Sequence, residues 1–291
     1  MTETTNRAAA REGIVLGQNN YGKSEVRLVK VKRDTGRHEL RDLTVDVALE
    51  GDFEAAYVRG DNTGLLATDT MRNTVYALAK DHLTGSIEEF GLKLVAHFLE
   101  ASPTVGRVRV RIAEHPWNRI EANGRGHEHS FVRGSGERLA TVRGDATGAR
   151  VEAGVDDLLV LKTTNSGWEG FLRDRYTTLP ETSDRILATK ITANWMYANA
   201  DVDFDRLWSG VQRRILETFT DHYSPSVQNT LYRMGEAVLE AFPEIEKIHI
   251  SLPNKHHLLY DLERFGMENA GEIFHATSEP YGLIEGAVER A

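Results

Sequence analysis

Phe98-Leu99-Glu100-Ala101-Ser102-Pro103-Thr104-Val105 and Val238-Leu239-Glu240-Ala241-Phe242-Pro243-Glu244-Ile245 are the two stretches on which the fold turns. Leu, Glu, Ala and Pro recur between them at an offset of 140 (243 − 103). The segments that follow match in pattern, because Val108, Val110 and Ile112 fall on Ile248, Ile250 and Leu252. Apolar residues at every second position mark a half-buried strand. Each stretch therefore reads as helix, turn, strand, and the chain reads as two copies of one module.

Working outward, Val26 to Val31 and Leu43 to Leu49 alternate as a hairpin. A short helix is expected over Met71–Asp81, with Thr68-Asp69-Thr70 before it as a cap. Ser86 and Glu89 form a capping box for a helix carrying Ile87, Phe90, Leu94 and Phe98 on one face. A strand over Val105–Ile112 follows, and another begins at His129–Val132. The second half repeats this order: strands over Leu158–Leu161 and Ile186–Met196, helical stripes from Phe204 to Phe219 and from Val227 to Val238, then strands over Ile245–Leu252 and Gly282–Val288. The fold class is α+β, ββααββ twice, with antiparallel sheets carrying helices on one face. The expected organisation is a flexible tail over 1–12, a first module over 13–145 and a second over 146–291. The Gly- and Arg-rich span Val132–Gly154 joins them as hairpins. The open sheet face and edges point to edge-to-edge assembly into a barrel.

Composition narrows the function. The chain has 291 residues, 40% hydrophobic and 27% charged, enough for two packed cores. A net charge of −9 argues against general nucleic-acid binding, which needs surplus cations for phosphates. No apolar run approaches a membrane span. The absence of cysteine removes disulfides, thiolate nucleophiles and Cys-based zinc sites. A polar start without a signal peptide and an end without a peroxisomal tripeptide fit a cytoplasmic protein.

Polar groups gather where elements stop, the usual raw material of a site. Pro253 breaks the strand Ile248–Leu252 and is followed by Asn254, Lys255, His256 and His257. Ser224-Pro225 opens the last long helix as cap and first residue, which would leave the amides of Ser226, Val227 and Gln228 facing any anion. Trp168 lies in a Gly-bearing loop, where it could pack on the core or stack on a flat ligand. Arg185 heads a strand, where an exposed arginine is usually only solvated. His127-Glu128-His129 offers two imidazoles but no third ligand at helical spacing. There is no phosphate-binding glycine loop and no nucleophile elbow.

Taken together, the ordered segments resemble the urate oxidase (uricase) family. They are Tyr21-Gly22-Lys23 with Val26-Arg27 and Lys30-Val31, Ala67-Thr68-Asp69-Thr70 with Asn73-Thr74-Val75-Tyr76, and His127-x-His129-Ser130-Phe131. Lys162-Thr163-Thr164-Asn165-Ser166, Tyr176-Thr177-Thr178-Leu179-x-Glu181-Thr182-x-Asp184-Arg185, Ser226-Val227-Gln228 and Leu252-Pro253-Asn254-Lys255-His256 complete the set. The resemblance implies the tandem tunnelling fold, a homotetramer with active sites between subunits, and oxidation of urate by O2 to 5-hydroxyisourate and H2O2 with neither metal nor organic cofactor. It implies a relay of Lys23, Thr68 and His256. It also implies substrate contacts from Thr68, Asp69, Trp168, Leu179, Arg185, Val227, Gln228 and Asn254, with Asn254 and Thr68 holding O2 and later water. Trp168 departs from the family's usual phenylalanine, which keeps a stacking surface but alters pocket depth. Two other functions compete: a metal-dependent hydrolase of the same fold acting on a purine or pterin, and a purine-binding scaffold without catalysis. Missing cysteines and phosphate loop weaken the first, and the full set of relay residues weakens the second.

Overall fold

The computed structural model of the chain describes residues 13–291, so the tail expected over 1–12 lies outside the described residues. The described residues divide into two compact units, residues 13–134 with 138–152 and residues 135–137 with 153–291.

In the first unit, strands β1 (Tyr21–Lys32) and β2 (Glu39–Gly51) form an antiparallel hairpin. Three helices follow, α1 (Glu54–Arg59), α2 (Thr68–His82) and α3 (Ile87–Ala101). Strand β3 (Val105–Glu114) then pairs with β2. A separate two-stranded excursion, β4 (Trp117–Ala122) and β5 (Arg125–Arg133), precedes β6 (Glu137–Asp145), which closes against β3. The fourth strand of the module is thus β6. The strand expected at His129–Val132 belongs to the excursion instead. Alternation explains the packing: Leu43, Val45, Val47 and Leu49 of β2 and Val108, Val110 and Ile112 of β3 are buried. They lie against Met71, Val75 and Ala79 of α2 and Phe90, Leu94 and Phe98 of α3, each of these side chains larger than alanine contributing about 1.5–3 kcal/mol by burial. Gly91 lets α3 approach β6, since a Cβ there would come 2.7 Å from Val142 Cγ2. Lys30 Nζ donates to the carbonyls of Ala79, Lys80 and Leu83 at 2.8–2.9 Å, closing the C-terminus of α2 with a cation.

The second unit repeats the order. Strand β7 (Gly148–Lys162), whose residues fall in both units, is followed by β8 (Leu187–Tyr197), α4 (Phe204–Thr220) and α5 (Val227–Ala241). Strand β9 (Ile245–Pro253) pairs with β8 and with β12 (Leu283–Glu289). Between them sits a short hairpin of β10 (His257–Leu259) and β11 (Phe274–Ala276). Helices α3 and α5 begin and end 140 residues apart (227 − 87 and 241 − 101), so the offset read from the sequence holds for the whole element.

Several boundaries differ from the sequence expectation. The helix placed at Met71–Asp81 begins at Thr68, so Thr68, Asp69 and Thr70 form its first turn, and Ala67 occupies the cap without a side-chain bond. Strand β7 runs ten residues further towards the N-terminus than Leu158–Leu161, absorbing part of the joining span. Helix α5 is capped by Ser226, whose Oγ accepts from the Asn229 N–H at 3.1 Å, rather than by Ser224. Ser224 is instead fully buried, with its Oγ 2.5 Å from Thr230 Oγ1.

Candidate active site

The first unit holds Lys23, Thr68 and Asp69. Lys23 stands opposite Val47, yet Val26, three residues on, stands opposite Val45, so one extra residue bulges between them. Glu25 takes the bulge in a left-handed conformation (φ 57°), and its N–H donates to Asp46 at 2.7 Å. Val45 and Val47 are both buried, so the bulge turns Lys23 towards the same face as Val26. The start of β1 is tied to the segment before α2, because the Leu66 N–H donates to the Tyr21 hydroxyl at 2.9 Å. Burial raises the Tyr21 pKa, which keeps that hydroxyl protonated. Thr68 and Asp69 are exposed in the first turn of α2. Asp69 pairs with Arg72 at 2.6 Å and accepts from Asn73 at 2.9 Å.

The second unit holds Trp168, Leu179, Arg185, Val227, Gln228, Asn254 and His256. Ser166 links the loop of Trp168, the approach to β8 and the start of α5. Its carbonyl accepts from the Arg185 N–H at 2.7 Å, and it bridges to Ser224, with Gly167 donating to Ser224 at 2.8 Å. A Cβ at Gly167 would lie 2.1 Å from the Tyr223 hydroxyl and 3.0 Å from the Thr182 carbonyl, so a larger residue there must displace Tyr223. Trp168 exchanges backbone bonds of 2.7 and 3.1 Å with Thr182 and stacks on Phe171 at 5.5 Å and 12°. The Arg185 guanidinium sits 5.9 Å from the centre of the Trp168 ring. Its Nε is buried without a hydrogen-bond partner, and desolvation lowers its pKa from the ordinary value.

Because Ser226 is the cap, the Val227 and Gln228 amides are first-turn donors with no intrahelical acceptor. Val227 is buried and the Gln228 side chain is exposed. Asn254, at the end of β9, bridges to Thr189 and donates its N–H to Gly282 at 2.8 Å. Lys255 donates to Ala188 at 2.8 Å, and Thr277 donates to the His256 carbonyl at 2.9 Å. The segment carrying Asn254 and His256 is thereby fixed to the start of β8, just beyond Arg185. Leu179 is 52% exposed on the loop between Trp168 and Arg185.

Sequence reasoning missed the support behind these groups. His222 Nδ1 lies 2.6 Å from the Thr218 carbonyl and Nε2 lies 3.1 Å from Thr230 Oγ1, the hydroxyl that meets Ser224. Burial is the main cause of the lowered His222 pKa. Lys162, its pKa also lowered by burial, donates to the His222 carbonyl at 2.8 Å. Lys162 stands in a family motif, but nothing in the sequence assigns it to His222, and polar residues at a helix start have many other uses. The rings of His127 and His129 meet edge to face at 4.6 Å, and among the described residues no group of three His, Asp or Glu is placed to hold a metal ion. Nor is any helix long and apolar enough to cross a membrane, again among the described residues.

Comparison with known proteins addresses the family and the fold. The family model described as Uricase matches residues 19–142 and 151–285. The chain is 48% identical to a uricase of Arthrobacter globiformis over 278 residues, covering 95% of this chain and 90% of that protein. It is 41% identical to a uricase of Dictyostelium discoideum, covering 95% and 98%. The crystal structure of uricase from Arthrobacter globiformis superposes with a TM-score of 0.91, covering 95% of each chain. A urate oxidase structure from Bacillus sp. TB-90, 20% identical and covering 94% of this chain and 100% of that one, shares the fold with a TM-score of 0.81. None of these matches supports the metal-dependent hydrolase alternative. The tandem ββααββ fold is that of the uricase structures, and the chain belongs to the uricase family.

Proposed function

We propose that the chain oxidises urate with O2 and water to 5-hydroxyisourate and hydrogen peroxide, without metal or organic cofactor, in active sites completed by a second copy of the chain. Membership of the uricase family makes it an oxidoreductase acting on urate; the residue roles, products and assembly are our reading. The observation that carries it is Arg185: a buried Nε with no protein partner, on a guanidinium beside the Trp168 ring. An unsatisfied buried donor is costly unless a ligand completes it. A flat anion lying on the indole and bonded to the guanidinium edge would do so.

Arg185 and the Gln228 side-chain amide then hold one edge of the urate monoanion, and the Val227 N–H adds a donor at the positive end of α5. Trp168 forms the floor and Leu179 an apolar wall. Thr68 and Asp69 of a neighbouring copy meet the opposite edge. Lys23, Thr68 and His256 relay the second proton away from urate, giving an electron-rich ring that O2 can oxidise. Asn254, with Thr68, holds O2 and afterwards the water that adds to the oxidised ring. The ring loses two electrons and O2 leaves as peroxide.

Exposed Leu258, Leu259, Phe265 and Met267 favour assembly, for which we propose a homotetramer closed into a barrel. We retain 13–145 and 146–291 as the duplicated modules. A cysteine-free chain suits the reducing cytoplasm, the compartment we assign.

The test is loss of urate absorbance with matching O2 uptake and peroxide release, in wild type and Lys23→Met. The variant should lose turnover at least a hundredfold while binding a non-oxidisable xanthine nearly as well as wild type. Equal loss of both would make Lys23 a binding residue and sink the relay.

A further inference from the structure

The sheet of the first unit has a second face. Val108, Val110 and Ile112 of β3 point into the core, so Arg107, Arg109 and Arg111 alternate onto the other side. Arg107, Arg109, Arg143 and Arg150 line an open concavity of about 530 Å³ together with Glu50 and Asp145. Register sets Arg109 directly opposite Arg143, a like-charge pair whose Cβ atoms stand roughly 5 Å apart. The carboxylates nearby are already engaged. Glu50 pairs with Arg107 at 2.9 Å, and Glu152 lies 3.9 Å from Arg143. Asp145 accepts from the Thr147 N–H at 2.8 Å and its hydroxyl at 2.6 Å. Arg109, half-buried, and Arg150 have no carboxylate partner among the described residues. A chain of net charge −9 thus concentrates four guanidinium groups around one concavity.

Opposed like charges destabilise a strand pair unless an anion lies between them. The Cα atoms of Arg107 and Arg109 stand about 7 Å apart along β3 and Arg143 faces Arg109 from β6, so the donors are spread over a span that two linked phosphoryl groups fill more evenly than one. The volume lies within the range of small-molecule sites. We propose that this concavity binds a small molecule carrying two linked phosphoryl groups, either free pyrophosphate or a nucleoside diphosphate. None of the residues assigned to urate lines it.

The experiment is calorimetric titration of the full-length protein at low salt with pyrophosphate, orthophosphate and a nucleoside diphosphate. Pyrophosphate should bind at least tenfold more tightly than orthophosphate. Arg109→Gln and Arg143→Gln should each weaken it at least tenfold, Arg143→Lys less, and Arg59→Gln on α1 not at all. A nucleoside diphosphate binding more tightly than pyrophosphate would identify the nucleotide as the source, and equal affinity would identify the diphosphate alone. Circular dichroism checks that the variants stay folded, as removal of a repelling charge predicts. Absence of saturation at millimolar pyrophosphate, as would follow if a second copy covered this face, overturns the proposal. So does unchanged affinity in the Arg109→Gln/Arg143→Gln double variant.

Discussion

Helices α3 and α5 occupy the same place in the two modules, and their first turns have opposite uses. Ser86 and Ser226, 140 residues apart (226 − 86), are both caps. The next positions of the repeat then diverge. Where α3 has Glu88 and Glu89, α5 has Gln228 and Asn229. Glu89 completes a capping box, and Glu88 is fully buried and bonded to Arg138 at 2.7 Å. The first module therefore fills its helix N-terminus with its own carboxylates. The second leaves uncharged side chains there, with Gln228 open to solvent, so the positive end of the helix can receive a charge from outside. The repeated element carries two carboxylates in one copy and two amides in the other.

The contrast can be broken from either side. The largest effect belongs to Glu88→Gln, which removes the buried carboxylate from its pair with the half-buried Arg138; destabilisation of about 3 kcal/mol should appear in denaturant melts. Gln228→Glu should restore the self-filled condition in α5 and weaken urate binding by roughly 1–4 kcal/mol through like-charge repulsion, read as a raised KM with the melting temperature little changed. Ser226→Ala should cost about 1 kcal/mol of stability. It should also weaken urate binding, whereas Ser86→Ala should cost stability alone; equal loss of urate affinity in both would erase the distinction.

The smallest effect concerns pH. The His222 pKa is lowered in the folded chain, so the unfolded chain binds the extra proton first as pH falls. Stability should be full above the ordinary histidine pKa of about 6.5 and decline as pH falls below it. His222→Gln should flatten that limb between about pH 7 and pH 5 in thermal melts.

Most of the architecture was legible in the sequence because it rests on local rules: alternation for β1, β2, β3, β8 and β9, a capping box for α3, and an apolar stripe for α4 and α5. The misses have physical reasons too. Helix α1 is six residues long with no buried side chain, so it leaves no periodic trace. Strands β4 and β5 are largely exposed, and β10 and β11 are three residues each. Ser224-Pro225 has the local grammar of a cap, but tertiary bonds to Thr230 and the Ser166 segment drew Ser224 inward and passed the cap to Ser226. For the site, the residues were nominated by family resemblance and not by local rules. What holds Trp168 and Arg185 together is Ser166, which joins segments far apart in the chain, and nothing local announces it.

The bulge between Lys23 and Val26 makes one backbone torsion, at a residue outside the proposed relay, the thing that aims the lysine. Were pleating to run evenly through Glu25, Tyr21 and Lys23 would both swing to the arginine-bearing side of the sheet, with every residue of the proposed relay still present. A glycine at 25 keeps the required left-handed turn open, whereas a β-branched residue there presses the strand to straighten. Sequence variation at this one exposed position therefore bears on whether a relative with an intact relay alphabet can point it the right way.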